Sequence, residues 1–234
     1  MGTSPHTILG AGKGLLLVCA TPHEARAFLA DLGMGTLLAR AEPWHAIGPL
    51  PGLDLVISGV GKANAAAATA RCLDPARHAG ALSVGIGGLL PRNNMFTPRV
   101  DTQDRDIHIG DVVISDRSVY ADEGIATPEK FIHLHDMGFP AGPWEGSGPE
   151  APSAWREVLH SLGDAHGVIA TVSSCSGTDA AAREVVRRTG AVVEAMEGAA
   201  VAHVAEMMGL RWGEVRVVSN TTGEIGRASC RERV

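Results

Sequence analysis

Short apolar runs alternate with segments of helical pattern along most of the chain. The runs typical of buried strands cover residues 15–20, 53–58, 80–84, 111–115, 168–172, 191–193 and 216–219. Helical patterns begin at Thr21 and cover residues 62–73, 179–188 and 198–208. Strands that alternate with helices predict an α/β domain of three layers, in which a central mixed β-sheet is flanked by helices.

Glycines cluster where two of the predicted strands end, at residues 59–61 and 85–88. Open α/β sheets bind their ligands at the carboxyl ends of strands, so these segments are candidates for a binding site. Residues 92–108 and 138–152 are rich in turn-forming residues and are predicted as surface loops. The pattern shows no internal repeat and no second apolar core, which favours a single domain.

Composition narrows the classes of function. The 234 residues carry a formal net charge of −6, which argues against a nucleic-acid partner. No apolar run approaches the roughly 18 residues that span a bilayer, so no membrane partner is expected. The four cysteines form no CxxC pair, and the chain starts without a basic and apolar leader. These features favour free thiols and a cytoplasmic location.

The last ten residues differ from the chain before them. Residues 225–234, preceded by Glu224, resemble codon by codon the translation of a common sequencing adapter. We therefore expect residues 1–224 to form a single, C-terminally truncated domain and residues 225–234 to be a non-native tail. Removing the three arginines and one glutamate of this tail changes the net charge from −6 to −8.

Two segments offer chemistry in a suitable place. Glu197 lies where a predicted strand passes into a helix of small residues. A buried carboxylate needs donors, which two ribose hydroxyls would provide, but the helix dipole alone also favours a glutamate there. Residues 58–62, Ser-Gly-Val-Gly-Lys, form a strand–turn–helix pattern. Its backbone N–H groups could face an anion or a sugar hydroxyl, or the pattern could be only a tight turn.

Other candidates are weaker. Residues 10–14 imitate a phosphate-binding loop but precede a strand, whereas such loops follow one. His133, His135 and Asp136 could bind a metal ion, although surface histidines are the simpler interpretation. Cys175 and His203 have no spacing that indicates a nucleophile and its base. No metal ion and no cofactor are therefore expected in the site.

Six segments taken in order resemble the purine nucleoside phosphorylase and nucleosidase superfamily. They are residues 20–24 (Ala-Thr-Pro-His-Glu), 58–62, 85–89, 109–116, 196–197 and 219–220. Within it, the methylthioadenosine/adenosylhomocysteine nucleosidases are similar, and the futalosine hydrolases are more so. The resemblance implies a three-layer phosphorylase/hydrolase-like fold and cleavage of an N-glycosidic bond through an oxocarbenium-like cation. It also implies a small-molecule purine nucleoside as partner and a homo-oligomer.

The resemblance assigns roles by position. Glu24 matches a carboxylate that activates the attacking water, Glu197 matches one that binds the ribose hydroxyls, and Asn220 matches the residue that reads the base. These three are the expected catalytic residues. Expected substrate contacts are Ser58, Gly59, Gly85, Ile86, Gly87, Gly88, Met196, Ser176, Gly177 and Thr178.

Two residues select within the superfamily. Glu24 stands where the phosphorylases carry a phosphate-binding arginine, and a carboxylate there favours hydrolysis. Asn220 stands where adenine-cleaving nucleosidases have Asp, and its amide matches O6 and N7–H of a 6-oxopurine. Together they imply hydrolysis of futalosine, a hypoxanthine nucleoside, to hypoxanthine and dehypoxanthine futalosine in menaquinone biosynthesis.

Three alternatives remain open. The first is a nucleosidase for another purine nucleoside, of the methylthioadenosine/adenosylhomocysteine type. The second is a phosphorylase, because His23 and Arg26 lie near Glu24 in the sequence and could bind phosphate. The third is a catalytically silent module of this fold that binds a purine or a partner.

Overall fold

A computed structural model describes residues 12–31, 33, 41–91 and 106–223. The elements in chain order are β1 (Gly14–Cys19), α1 (Pro22–Asp31), β2 (Ile47–Leu50), β3 (Leu53–Ile57), α2 (Lys62–Cys72), β4 (His78–Leu89), β5 (Val112–Tyr120), β6 (Gly124–Ala126), β7 (Phe131–His133), α3 (Ser153–His160), β8 (Ala165–Thr171), α4 (Asp179–Thr189), β9 (Val193–Ala195), α5 (Gly198–Met207) and β10 (Arg211–Thr221). The expected tail at residues 225–234, most of the predicted loop at 92–108, and Gly10 and Ala11 lie outside the described residues.

Eight strands form one mixed sheet in the order β10-β5-β8-β9-β4-β1-β3-β2. Strand β4 also pairs with β10, so β4, β10, β5, β8 and β9 close into a ring. The pairs β4–β9, β5–β10 and β2–β3 are antiparallel, and the other pairs of this sheet are parallel. Helices flank the sheet, so the predicted α/β class with a central mixed sheet is confirmed.

The continuous apolar run of β1 is buried on both faces, as its pattern predicts. Leu16 and Val18 pack in a cluster with α2 and α5, while Leu17 and Cys19 pack in a second cluster with α1. Alternate residues of a strand point to opposite faces, so this run reaches helices on both sides. Within the described part of the chain, no helix has the length and apolar character needed to cross a bilayer.

Four strands extend further than the apolar pattern predicts, among them β8, which begins at Ala165. The run at residues 80–84 becomes β4, which continues through the glycines of residues 85–88 instead of ending there. Strands β5 and β10 are also longer than the predicted 111–115 and 216–219. The apolar pattern stops at these points, but the backbone pairing of β4 with β10 continues to Leu89. The glycine run is therefore part of the sheet and not a turn.

The apolar pattern does not predict some of the observed elements. Strands β2, β6 and β7 are only three or four residues long, and α3 follows a loop rich in Gly and Pro. The strand predicted at 191–193 is observed as β9, two residues later. The predicted loop at 138–152 is irregular, and its backbone hydrogen bonds anchor it along β5. These bonds include Tyr120 N–H to Ser147 O (2.8 Å) and Ala151 N–H to Asp116 O (2.8 Å).

Candidate active site

Glu24 is held by a capping box at the start of α1. Thr21 precedes the helix, and Pro22 occupies the first helical position, where its fixed φ suits the helix. Thr21 Oγ1 accepts from the Glu24 N–H (3.3 Å), and Glu24 Oε2 accepts from Thr21 N–H (2.9 Å) and Oγ1 (3.0 Å). Glu24 Oε1 accepts from the N–H of Ile86 in β4 (3.1 Å). The sequence Thr-Pro-His-Glu thus places this carboxylate beside the glycine-rich end of β4.

Glu197 is buried immediately before α5, with 6% of its surface exposed. Its Oε1 accepts from Gly61 N–H (3.0 Å), and its Oε2 lies 3.4 Å from Nη1 of Arg216. Burial raises the pKa of Glu197. The positive charge of Arg216 and the bond from the Gly61 N–H lower this pKa, whereas the negative charges of Glu24 and Glu214 raise it further. The turn at residues 59–61 therefore presents a backbone N–H to a carboxylate, and that carboxylate belongs to the protein.

Arg216 lies at the centre of a buried charged cluster, which the apolar pattern does not predict. Its guanidinium donates to Glu214 Oε1 (2.8 Å, from Nε) and to Ser83 Oγ (2.8 Å, from Nη2). Glu214 also accepts from the hydroxyl of Ser118. The sequence does contain a signal for this cluster, because Glu214 and Arg216 stand two residues apart in a strand and must share a face. Two opposite charges on one face of a buried strand indicate a paired, internal site.

Gly85 leaves the space in which the two charged groups meet. A Cβ on Gly85 would overlap Glu24 Oε1 and lie 2.6 Å from Nη1 of Arg216. Both groups therefore approach the same point of β4. Burial lowers the pKa of Arg216, and the charges of Glu214, Glu197 and Glu24 outweigh that effect and raise it. The requirement for glycine here comes from side chains of two distant segments, since Gly85 itself is in an ordinary strand.

Asn220 lies further along the same end of β4, where it pairs with Gly88. Its Oδ1 accepts from Ser219 Oγ (2.8 Å) and its Nδ2 donates to Thr221 O (2.7 Å). An amide has two donor and two acceptor positions, so one of each remains available. Glu24 and Asn220 thus border the stretch 85–88 directly, and Glu197 borders it through Arg216. The three expected catalytic residues therefore border the two ends of one short segment, with Glu24 and Glu197 at Gly85 and Asn220 at Gly88.

The structure explains several expected substrate contacts by local roles. Ser58 is buried, and its hydroxyl lies 2.8 Å from Gly59 O, to which it donates. Thr178 is the N-cap of α4, where its Oγ1 accepts from Ala181 N–H (3.2 Å). The side chain of Ile86 is 54% exposed, and Met196 is partly buried against the cluster between α4 and the sheet. The contacts of Ser58, Thr178 and Met196 are thus explained by bonds and packing within the protein.

Glu194 is a further buried acid, and no motif of the sequence marks it. Ser176 donates to both of its oxygens, from N–H (2.8 Å) and from Oγ (2.7 Å). Burial raises the pKa of Glu194, and the two bonds from Ser176 oppose the rise. Glu194 pairs with Gly88 across β4 and β9, so it lies at the same strand end as Asn220. Its signal is an acid that directly follows the predicted strand at 191–193 and stands three residues before Glu197.

Two remaining expected contacts differ in their surroundings. A Cβ on Gly87 would approach Val193 Cγ1 within 2.5 Å, so close packing against β9 accounts for this glycine. Gly177 has open space where a Cβ would lie, with no heavy atom within 4 Å. Gly177 therefore has room for a ligand beside it, whereas Gly87 lies against a neighbouring strand.

The weaker candidates lie in other surroundings. His133, His135 and Asp136 line a cavity of about 200 Å³ together with Arg117 and Arg188. Two guanidinium groups in the same wall disfavour a cation there. His203 Nδ1 lies 3.1 Å from the Tyr120 hydroxyl, and its ring packs edge-on against an indole. These contacts with Tyr120 and Trp144 explain His203 as a structural residue.

The comparisons with known proteins agree with one another. Residues 15–232 match the family described as the phosphorylase superfamily. The chain is 36% identical to a futalosine hydrolase from Streptomyces coelicolor over 218 residues, which is 88% of this chain and 82% of that protein. It is 30% identical to a futalosine hydrolase from Thermus thermophilus over 181 residues, which is 75% of this chain and 72% of that protein.

Two solved structures illustrate the fold. A 5'-methylthioadenosine/S-adenosylhomocysteine nucleosidase from Neisseria meningitidis, in complex with methylthio-immucillin-A, superposes with a TM-score of 0.68 at 20% identity. A futalosine hydrolase mutant from Helicobacter pylori superposes with a TM-score of 0.66 at 17% identity. Each alignment covers 94% of this chain and 91% of the other chain. At these identities the likeness establishes the fold.

Proposed function

The chain belongs to the phosphorylase superfamily and, within it, to the futalosine hydrolases, and we propose on that premise that it hydrolyses the N-glycosidic bond of futalosine. The products are hypoxanthine and dehypoxanthine futalosine, and the reaction serves menaquinone biosynthesis. The proposal is supported by the contact of Glu24 with β4 at Ile86, the pairing of Glu197 with Arg216, and the position of Asn220 beside Gly88.

Glu24 is suited to activate water. A carboxylate has about four acceptor positions, and Thr21 and Ile86 use three of them. One position on Oε1 is left, and the absence of a Cβ on Gly85 lets this oxygen lie against β4 beside the guanidinium of Arg216. A water bound there would lose a proton to Glu24 as it attacks the anomeric carbon. A phosphate dianion at the same place would be repelled by Glu24, and His23 and Arg26 are exposed.

Glu197 is suited to stabilise the charge that develops on the sugar. Bond cleavage leaves positive charge on the ribose, and a carboxylate in a buried site acts more strongly on it than one in water. Arg216 and the Gly61 N–H favour the ionised form of Glu197, although burial raises its pKa. Its oxygens are thus held in place before substrate binds, with one oxygen toward the turn and one toward Arg216.

Asn220 is suited to read a 6-oxopurine. Its remaining N–H can donate to O6, and the remaining lone pair of Oδ1 can accept from N7–H. An adenine would present a donor to that N–H, and a mismatched polar pair in a dry pocket costs about 1–3 kcal/mol. Because an amide is not an acid, the proton that the leaving base gains must come from another group.

Released base is the decisive measurement. The full chain is supplied with futalosine, inosine or methylthioadenosine, with and without phosphate, and the products are separated by chromatography. We expect hypoxanthine from futalosine without phosphate. Glu24→Gln should lower kcat by about 10²–10⁴-fold, the usual contribution of a general base. Glu157→Gln, at an exposed position of α3, is the matched control and should turn over normally.

Each other result contradicts the proposal in its own way. Turnover only in the presence of phosphate would indicate a phosphorylase. Faster release of adenine than of hypoxanthine would indicate a nucleosidase of the methylthioadenosine type. Binding of all three nucleosides without any product would indicate a silent binding module. A Glu24→Gln enzyme as active as Glu157→Gln would remove Glu24 from the role of base.

A further inference from the structure

Strand β5 contains a bulge at Asp116, away from the residues that surround Glu24. Ser115 pairs with Gly167 and Arg117 pairs with Val168, so Asp116 is the extra residue of the bulge. Residues three apart in a regular strand face opposite sides, yet the hydroxyls of Ser115 and Ser118 lie 3.0 Å apart. The bulge therefore turns both serines to the buried side, and Asp116 is free to face a different group of side chains.

Two histidines from other elements meet Asp116. His160 is the last residue of α3, and His166 is the second residue of β8. Asp116 Oδ1 lies 2.8 Å from His160 Nε2, and Asp116 Oδ2 lies 2.8 Å from His166 Nδ1. The two imidazole rings are stacked, with centroids 3.9 Å apart and planes 17° apart. Each side chain is 23–30% exposed, so the cluster is accessible from solvent.

One of these contacts lacks the direction of a hydrogen bond. His160 Nε2 is buried and only 2.8 Å from a carboxylate oxygen, but it has no hydrogen-bond partner of acceptable geometry. If this nitrogen carries no proton, its lone pair and the carboxylate oxygen repel each other, and a cation bound by both removes the repulsion. His166 Nδ1, by contrast, has a hydrogen bond to Asp116 Oδ2 (2.8 Å), which a bound ion would replace. The three donor atoms lie within 4.8 Å of one another, a spacing that a single ion can bridge.

We propose that Asp116, His160 and His166 bind one divalent transition-metal ion of the zinc type. Two imidazole nitrogens and one carboxylate oxygen are donors that zinc, cobalt and nickel accept. Bond lengths of about 2.0–2.2 Å and tetrahedral angles place ligand atoms about 3.3 Å apart, so the carboxylate would move outward slightly. The two stacked rings would also tilt apart, because each nitrogen lone pair lies in the plane of its ring and must point to the ion. Three protein ligands leave a further position for water, which the partial exposure of the cluster permits.

The three ligands come from three elements and lie on the other side of β5 from Ser118, whose hydroxyl binds Glu214 of the buried cluster. A bound ion would therefore connect the end of α3 and the start of β8 to the bulge without contacting Glu24 or Glu197. Binding to the folded state alone raises stability in proportion to the logarithm of the ligand concentration over its Kd. A bound ion is thus expected to stabilise the folded protein, and the quantities to measure are the affinity for the ion and the Tm.

Metal titration of the full chain tests the proposal. After dialysis against a chelator, the protein is titrated with Zn²⁺ in a calorimeter and with Co²⁺ in a visible spectrophotometer. We expect one ion per chain at this site, intense cobalt d–d bands of a four- or five-coordinate ion, and a higher Tm with zinc. Asp116→Asn and His166→Ala should each lower the affinity for the ion at least 10–100-fold. Losses of that size already follow when a residue that only hydrogen-bonds a metal ligand is removed.

A matched control and a second measurement keep the outcome decisive. His45→Ala removes an exposed imidazole that stands 3.9 Å from Glu42, and it should leave the affinity unchanged. In the unsubstituted protein, zinc should shift the imidazole ¹⁵N resonances of His160 and His166, which requires no variant to fold. Equal affinity in wild type, Asp116→Asn and His166→Ala, or shifts confined to other histidines, would overturn the proposal.

Discussion

At the scale of single residues, local chemistry places the acids and long-range contacts define their use. The Thr21–Glu24 capping box is a local pattern of four residues, and its bonds orient the carboxylate without any distant partner. Its contact with Ile86 N–H and its proximity to Arg216 come from the sheet. Helix capping and the proposed activation of water are therefore compatible, since they use different positions of one carboxylate.

Asn220→Asp tests which residue reads the base. The carboxylate loses the N–H that would donate to O6, and it faces the Thr221 carbonyl that now accepts from Nδ2. Turnover of hypoxanthine nucleosides should fall about tenfold to a hundredfold relative to that of methylthioadenosine. Ratios of kcat/KM for the two nucleosides provide the measurement.

The control for this substitution has the same local chemistry. Asn64→Asp breaks a similar bond, from Nδ2 to Val60 O (2.9 Å), at a half-buried position of α2. It should leave the preference for hypoxanthine unchanged. If Asn220→Asp also leaves the preference unchanged, the base is read elsewhere.

At the scale of elements, small residues let α5 lie close to the strands. Ala199, Ala200 and Ala202 are almost wholly buried in the cluster that α5 shares with α2 and β1. Gly198 opens the helix directly against Glu214, and a Cβ there would overlap its carboxylate. The run of small residues after Glu197 thus has a packing reason that periodicity alone does not reveal.

Gly198→Ala should destabilise the protein by about 1–3 kcal/mol through overpacking. The effect should appear although alanine favours a helix by about 1 kcal/mol over glycine, because Arg216 and Ser118 hold the Glu214 carboxylate in place. Urea unfolding provides the measurement. Gly177→Ala is the control, since no heavy atom lies within 4 Å of the point that its Cβ would occupy, and it should be near neutral. Equal unfolding free energies for the two variants would show that α5 can shift.

At the scale of the whole molecule, closure of the β4-β10-β5-β8-β9 ring buries several charges together. Arg216 and Glu214 lie in β10, Ser83 in β4 and Ser118 in β5, so three strands satisfy one guanidinium and its partner. Removing one member of such a buried pair typically costs about 3–5 kcal/mol. The cytoplasmic location predicted from composition and the homo-oligomeric state implied by the family resemblance stay predictions.

The buried charges predict a pH dependence. Because burial raises the pKa of Glu197 above its ordinary 4.5, kcat/KM should fall on the acid side at a pH above 4.5, as the carboxylate gains a proton. The sign for stability is opposite. The folded state holds this proton more tightly than the unfolded state, so the contribution of Glu197 to stability decreases as pH rises from 4.5 through the raised pKa.

Profiles of kcat/KM and of urea unfolding against pH measure both effects. Glu197→Gln should remove its part of the stability slope, while Glu184→Gln, at a partly exposed pair in α4, should leave that slope in place. An acid limb below pH 4.5 in the free enzyme would contradict the assignment of Glu197.

Much of the fold and part of the site follow from the sequence by itself. Apolar runs and their flanking residues determine β1, β3, α2 and α5, because periodicity and helix capping act over a few neighbouring residues. The local pattern also singles out Glu197, whereas the role of Glu24 comes from the family resemblance. The position of Asn220 is recognisable only through a family resemblance, since nothing local distinguishes it from another polar residue at a strand end.

Only the tertiary structure decides the rest. The length of β4 through its glycines, the pairing of Arg216 with Glu214 and Glu197, and the bond between Ser176 and Glu194 all join segments that lie far apart in the chain or depend on how strands pair. The meeting of Asp116 with two histidines depends on a single-residue bulge, which changes the face of a strand without any change in its pattern. Sequence periodicity indicates which side chains prefer burial. The partners of each side chain, the register of the strands and the position of a bulge are determined only when the strands pack around a common core.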